Sequence, residues 1–306
     1  MKKYIILALV FIMAFKLTSQ NEVKISVENS DLYGTLLTPN VNANKAILII
    51  SGSGATDRDG NTKPNYINNG LKKLAEELTE SGYATLRFDK RGVGKSVSES
   101  MKAENLRFEQ NISDAGAWIS FLKKSFQDIT VIGHSQGALV GMLAVQKNQV
   151  NRFISLAGLS EDGSTTIKRQ LGSQPQFVID AAFPLLDSLK AGFKVYNVPQ
   201  YLNNLFGPQI QDFFISFMKY DPREEIKKLN CPVLVIQGTT DLQITVDGAT
   251  EMSRQAQNPT LKIMDGMNHV LRKTSSEASE NIAAYNNLSL PLHSDLIITI
   301  KEFLDK

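Results

Sequence analysis

Six short, almost wholly apolar runs at residues 46–50, 83–88, 129–132, 153–156, 233–236 and 261–264 recur along the chain, separated by longer amphipathic stretches. No other feature restricts the fold as strongly. A strand that is apolar along its whole length has no face to offer water, so it needs cover on both sides, and a parallel sheet flanked by helices provides it. The helical stretches lie at 66–81, 106–124, 135–147, 246–256 and 292–304, and their alternation with the strands predicts an α/β sheet. Ahead of it, residues 24–27 and 32–37 alternate apolar and polar around Glu28-Asn29-Ser30-Asp31, which predicts an opening hairpin. At 306 residues and 42% hydrophobic composition the chain can bury one full core of this kind.

One segment interrupts the alternation. Residues 161–220 hold no strand-like run, only short helical stretches expected to break at Pro175, Pro184, Pro199 and Pro208. This predicts a helical cap inserted into the sheet at about 161–220. Ten of the chain's 24 aromatic residues fall in it, twice the share its length would give. Such enrichment suits either a lid over an apolar pocket or an insertion that needs aromatics for a small core of its own.

The amino terminus carries an address. Met1-Lys2-Lys3, an apolar run over 4–15 and the polar stretch 16–21 form the order of a secretory signal, with cleavage expected near Gln20 or Asn21. The resulting division is a signal peptide at 1–20 and a catalytic-size domain at 21–306. The apolar run is shorter than the roughly 20 residues that cross a bilayer, so the mature protein is expected secreted or periplasmic and without a membrane anchor. No Cys follows the run to carry a lipid. Removing the signal takes three of 33 basic residues and none of 31 acids, leaving a formal charge of −1 and no basic face for nucleic acid. A single Cys, Cys231, and three His exclude a disulfide framework and leave little scope for a metal centre, so no cofactor is expected.

The chemistry concentrates after the run 129–132, which leads directly into Gly133-His134-Ser135-Gln136-Gly137 and then a helical stretch. Gly-x-Ser-x-Gly between strand and helix exposes a serine hydroxyl on a tight turn, while the two glycines let strand and helix pack closely. A helix amino terminus beside the serine also supplies backbone N–H groups to a developing oxyanion.

With these motifs the mature chain resembles the α/β-hydrolase family, in a branch of bacterial esterases and serine aminopeptidase-like proteins. The resemblance implies an α/β-hydrolase fold: a mostly parallel sheet with an opening hairpin, helices on both faces and the helical cap. It also implies a catalytic triad in the order Ser, acid, His. Asp241 ends the loop after strand 233–236 in the acid's place, and His269 follows strand 261–264. Ser135 is then the nucleophile, His269 the base, and Asp241 the residue that orients the imidazole. Asp265 and Asp247 are rival acids; the first is too near His269 in sequence and the second is expected to open the helix at 246–256. His134 is expected to pack or hydrogen-bond beneath the turn, and His293 to cap the final helix from the solvent side.

The oxyanion hole implied by the resemblance combines the Gln136 N–H with a donor from Ser51-Gly-Ser-Gly-Ala-Thr-Asp-Arg-Asp-Gly60, Ser53 first and Gly54 second. Asp57-Arg58-Asp59-Gly60 is expected to be an ion-paired turn. The series Asp89, Arg91, Gly92, Gly94, Ser96 matches a recurrent family turn. A phosphate loop would need Gly where Asp89 stands, and a dinucleotide fingerprint would need Gly where Asp57 stands, so neither reading holds. The expected activity is cleavage of short or medium acyl, acetyl or aryl carboxylic esters through an acyl-enzyme, with a small-molecule ester as partner. A serine aminopeptidase or acylaminoacyl peptidase on the same triad is the alternative. A binding protein with a decayed site would be expected to lack one triad member, and dehalogenase chemistry would place Asp where Ser135 stands.

Overall fold

A computed structural model describes residues 19–41, 43–98 and 101–306. The expected signal therefore lies outside the described residues, except that Ser19 and Gln20 open the first strand.

Among the described residues the strands are β1 Ser19–Val27, β2 Ser30–Thr38, β3 Lys45–Ile50, β4 Ala84–Phe88, β5 Asp128–His134, β6 Arg152–Leu156, β7 Val233–Gly238 and β8 Pro259–Met264. They form one sheet in the order β1-β2-β4-β3-β5-β6-β7-β8. β1 and β2 are the antiparallel hairpin, β2 joins β4 antiparallel, and the pairs from β4 to β8 are parallel. This is the mostly parallel sheet with an opening hairpin that the apolar runs require.

The helices are α1 Gly70–Glu80, α2 Phe108–Leu122, α3 Gln136–Lys147, α4 Gly163–Leu171, α5 Gln176–Lys190, α6 Asn203–Phe206, α7 Gln211–Phe217, α8 Pro222–Ile226, α9 Val246–Gln255, α10 Ala278–Ala283 and α11 Leu296–Leu304. Because successive side chains of a strand point to opposite faces, each apolar strand serves two cores. Leu48 and Ile50 of β3 pack with α2 and α3 residues such as Trp118 and Leu139. Ile47 and Ile49 pack on the other face with Leu74 of α1 and Ile300 of α11. Between β6 and β7 the chain is helical, with α4 to α8 and two short 3-10 turns.

Three boundaries differ from the sequence expectation for identifiable reasons. α1 starts at Gly70 rather than 66 because asparagine side chains turn the chain first: Asn61 Oδ1 accepts from the N–H groups of Asn68 and Asn69, Asn68 Oδ1 accepts from Gly70 N–H, and Asn69 is left-handed at φ 54°. Pro175 and Pro199 precede helical turns and Pro208 begins one, as expected, but Pro184 sits inside α5. The helix tolerates it because Ala182, Leu185, Leu186 and Leu189 bury a continuous face that holds both halves in line. α11 begins at Leu296, after His293 has been drawn inward.

The parallel order changes direction between β3 and β5, with β3 lying between β4 and β5. In open α/β sheets the crevice at the carboxyl ends of strands beside such a switch is where ligands bind. The loop after β3 and the turn after β5 meet there, since Ile50 and Gly133 are register partners at the ends of the two strands.

Candidate active site

Ser135 occupies the single residue between β5 and α3, with φ 55° and ψ −125°. Such a backbone costs a residue with a Cβ on the order of 1–3 kcal/mol, so its surroundings must hold it. They do so through three main-chain bonds: Ser135 N–H donates to Leu156 O at 3.1 Å, and Ser135 O accepts from Ala138 N–H at 3.0 Å and Leu159 N–H at 3.3 Å. The two flanking glycines are required by contact. A Cβ on Gly133 would strike Ala138, and one on Gly137 would strike the carbonyls of Ile50 and Ser51. The Gly-x-Ser-x-Gly pattern is therefore the sequence cost of packing α3 against the ends of β3 and β5.

His269 and Asp241 form a pair. His269 Nδ1 lies 2.9 Å from Asp241 Oδ2, and both side chains are buried. Asp241 also accepts from Gln237 Nε2 at 3.0 Å and from the N–H groups of Gln243 and Ile244 at 2.7 and 3.0 Å. Burial works to raise the Asp241 pKa, but the charge and hydrogen bond of His269, with the bonds from Gln237 and Gln243, outweigh it and hold the carboxyl below its usual range. An ionised Asp241 fixes the hydrogen of His269 on Nδ1 and leaves Nε2 with a free lone pair, the tautomer a general base needs. Ser135 and His269 line one cavity of about 300 Å³. Among the described residues no hydrogen bond joins them.

The loop after β3 closes over the serine. A Cβ on Gly52 would lie 3.1 Å from Ser135 Cβ, so this backbone rests directly on the turn. Ser53 and Gln136 both border a second cavity with Ser135. Gln136 is the first residue of α3, so its N–H has no partner within the helix. Ser53 N–H likewise donates to no group among the described residues. Behind the loop, Lys90 Nζ donates to the carbonyls of Gly52 and Gly54, the latter at 2.8 Å. Burial pulls this ammonium down to about 7, with the charge of Asp57 opposing.

Three cavities meet at this loop and differ in character. The first, holding both Ser135 and His269, is walled by Thr56, Thr62, Tyr66, Asn68, Gln243 and Tyr285. The second, of about 310 Å³, extends from Ser135 under the helical segment between Leu159, Ile167, Leu171, Phe206, Phe214 and Phe217. A third, of about 460 Å³, runs from Ser53 and Gln136 past Lys90 to Phe213 and Phe214. Among the described residues no aspartate or glutamate borders any of them. Among the described residues no cluster of His, Cys, Asp or Glu is arranged to hold a metal ion.

Other residues fall elsewhere. Asp265 accepts from Thr239 Oγ1 at 3.2 Å, away from the imidazole. Asp247 lies in the first turn of α9, but Thr245 is the cap, accepting from Gly248 N–H. His134 sits beside the turn with Nε2 2.8 Å from His269 O. His293 is not at the solvent side: it is 4% exposed, with Nε2 2.9 Å from Asp265 O and Nδ1 accepting from Asp295 N–H at 3.3 Å. It is drawn in because Leu271 O accepts its N–H and its neighbour Leu292 is buried in the core. The Asp57–Gly60 turn is held by ion pairs, Arg58 to Asp89 at 2.7 Å and Asp59 to Arg87 at 2.8 Å. Sequence reasoning overlooked Lys90, Gln237 and the tyrosines at 66 and 285. Only Gln237 left a signal, as a polar residue within the otherwise apolar strand β7.

The similarities to known proteins cover different parts of this arrangement. Residues 68–189 match the family model described as serine aminopeptidase, S33, a stretch that contains Ser135 but neither Asp241 nor His269. Esterase EstD of Thermotoga maritima is 24% identical over 233 residues, 74% of this chain and 54% of its own, so the chain spans about half the length of that relative. A monoglyceride lipase homolog of Monkeypox virus is 24% identical over 251 residues, 78% of this chain and 86% of its own. Among solved structures, Est1E from Butyrivibrio proteoclasticus with ferulic acid bound superposes with a TM-score of 0.59 at 19% identity, covering 92% of this chain and 97% of its own.

Proposed function

We propose that this chain, whose fold is that of the α/β-hydrolases, cleaves carboxylic esters, with Ser135 as nucleophile, His269 as general base and acid, and Asp241 as the residue that orients it. The observation that carries this reading is that a strained, positive-φ Ser135 shares a cavity with an imidazole whose Nδ1 is bound to a buried carboxylate. His269 Nε2 takes the Ser135 proton as Oγ adds to the ester carbonyl. The N–H groups of Ser53 and Gln136 receive the oxyanion. The carbon–oxygen bond to the alcohol then breaks as His269 returns the proton to the departing oxygen, and water repeats the sequence on the acyl-enzyme.

This proton transfer assigns the cavities. The departing alcohol must lie beside His269, so it occupies the first cavity, with its neutral hydroxyls, amides and tyrosines. The acyl chain takes the apolar second cavity, which contains Ser135 and both oxyanion donors but not His269. A short or medium aliphatic or aryl acyl group suits that volume. A peptidase that selects a free amino terminus needs a carboxylate to receive the ammonium, and among the described residues no acidic side chain borders these cavities. This favours esters over the aminopeptidase alternative that the S33 match raises. The order of residues 1–21 supports a secreted or periplasmic location for the mature enzyme.

The test is turnover of p-nitrophenyl acetate, butyrate and octanoate beside aminoacyl p-nitroanilides, by the mature protein and by Ser135→Ala. Serine-dependent ester cleavage with silent anilides is expected. Serine-dependent anilide cleavage with poor ester turnover would replace the ester reading by the peptidase one.

A further inference from the structure

We propose that Lys90 is a positioning residue for the oxyanion hole, which fixes the direction of the Ser53 N–H by holding the peptide that carries it. The argument rests on the ester-cleavage reading above and concerns one peptide plane. In a trans peptide the C=O of one residue and the N–H of the next point in opposite directions. Gly52 O is held by Lys90 Nζ, so the Ser53 N–H of the same unit must point away from Nζ. Gly52 itself rests on Ser135. The second bond of Nζ, to Gly54 O, fixes the far side of the same turn. The peptide between them is held differently: Ser53 O accepts from Thr56 Oγ1 at 2.7 Å. Ser53 N–H is thus the donor that Lys90 aims, which distinguishes it from Gly54.

The turn that carries Lys90 does not need it for its own shape. Asp89 is held by Arg58 and by the Lys95 N–H, and Arg91 by Asp114 at 2.6 Å. Among the described residues no carboxylate lies within ion-pair distance of Lys90, although it is only 7% exposed. Burying an ammonium without a counter-ion is unfavourable, and the lowered pKa expresses that cost. What the ammonium gains is two carbonyls, and a cation on Gly52 O also polarises the peptide and strengthens the Ser53 N–H as a donor.

The test compares Lys90→Met, which keeps the stem and removes the donor, and Lys90→Gln, which restores one. The readouts are kcat and KM for p-nitrophenyl butyrate, inhibition by a trifluoromethyl ketone whose adduct carries the oxyanion, and the rate of Ser135 labelling by a fluorophosphonate. Loss of a single oxyanion donor lowers kcat by about 10²–10³, and a misaimed donor belongs at the lower end. Lys90→Met should therefore lose about 100-fold in kcat with KM within threefold. Affinity for the ketone should fall in parallel, and Lys90→Gln should recover about tenfold. A folded Lys90→Met enzyme with kcat and ketone affinity within threefold of wild type would overturn the proposal and leave the esterase reading intact. If Lys90→Met does not fold, a folded Lys90→Leu enzyme, which also lacks the donor, with kcat and ketone affinity within threefold of wild type would overturn it equally. Should the wild type label at Ser135 but cleave no ester, the ester reading fails, and equal labelling rates in the variants would overturn the role of Lys90 as well.

Discussion

His134 and His269 are joined ring to backbone: Nε2 of the first lies 2.8 Å from the main-chain carbonyl of the second, and the two rings are 4.9 Å apart. A carbonyl only accepts, so His134 carries its hydrogen on Nε2, and burial together with the nearby His269 pulls its pKa down to about 4. The residue preceding the proposed nucleophile thereby sets the loop of the proposed base, and it does so as a neutral imidazole.

That neutrality has a stability consequence. The unfolded chain protonates this histidine near pH 6.5, whereas the folded protein resists until about 4. Between those values the unfolded state binds more protons, so stability is fully present above pH 6.5 and declines as pH falls, by at most about 1.4 kcal/mol per pH unit. His134→Gln keeps a donor for His269 O without the titration. Urea midpoints measured from pH 7 to pH 4 should fall less steeply in the variant; parallel curves would show that His134 does not titrate this way.

Asp241→Asn replaces a pure acceptor by a side chain that can present N–H to His269 Nδ1, which favours the opposite tautomer and occupies Nε2 with the hydrogen. Loss of the orienting acid in a serine triad costs about 10⁴ in kcat, and a loss of three to four orders of magnitude is expected for butyrate ester turnover. Near-normal kcat would assign the orienting role to a different acid.

The backbone at Ser135 predicts opposing effects on activity and stability. Both Ser135→Ala and Ser135→Gly should abolish fluorophosphonate labelling. At φ 55° only the glycine escapes the clash of a Cβ, so Ser135→Gly should be more stable than Ser135→Ala by about 1 kcal/mol, read as a shift in denaturant midpoint. Equal midpoints would mean that the turn stores no strain at this residue.

Narrowing the apolar cavity should change which acyl chains fit. Ile167 borders it with Leu171 and Phe217, and Ile167→Phe adds volume there. The octanoate-to-acetate ratio of kcat/KM should fall about tenfold, the scale of a methylene or two in a hydrophobic pocket. An unchanged ratio would place the acyl chain in another cavity.

The parts of this fold that were legible in the sequence are those set by local repetition. β3, β5, β6 and β7 each carry a central apolar run because both faces are covered, and hydropathy locates those runs. Ser135 could be singled out from its Gly-x-Ser-x-Gly turn between strand and helix, and Asp241 and His269 through the order of an acid and then a histidine after later strands that the family resemblance implies. The start of α1 and the burial of His293 were not legible, since each depends on a specific hydrogen bond that periodicity does not show: Asn61 turns Asn68 and Asn69 ahead of α1, and His293 is drawn to Asp265 O, 28 residues away. Pro184 misled for a related reason. A proline reads locally as a stop, while the buried face of α5 is a property of what packs against it.

The two proposed arms of the site come from different parts of the chain. Tyr66 and Asn68 lie in the segment before α1 and Tyr285 in a short 3-10 turn after α10, whereas Ile167, Leu171, Phe206, Phe214 and Phe217 all come from the single helical excursion between β6 and β7. Selection for a new acid component could therefore rewrite one contiguous stretch of chain and leave the alcohol side and the reacting groups untouched. Chimeras that exchange this stretch between related hydrolases should inherit acyl preference from the donor and alcohol preference from the recipient.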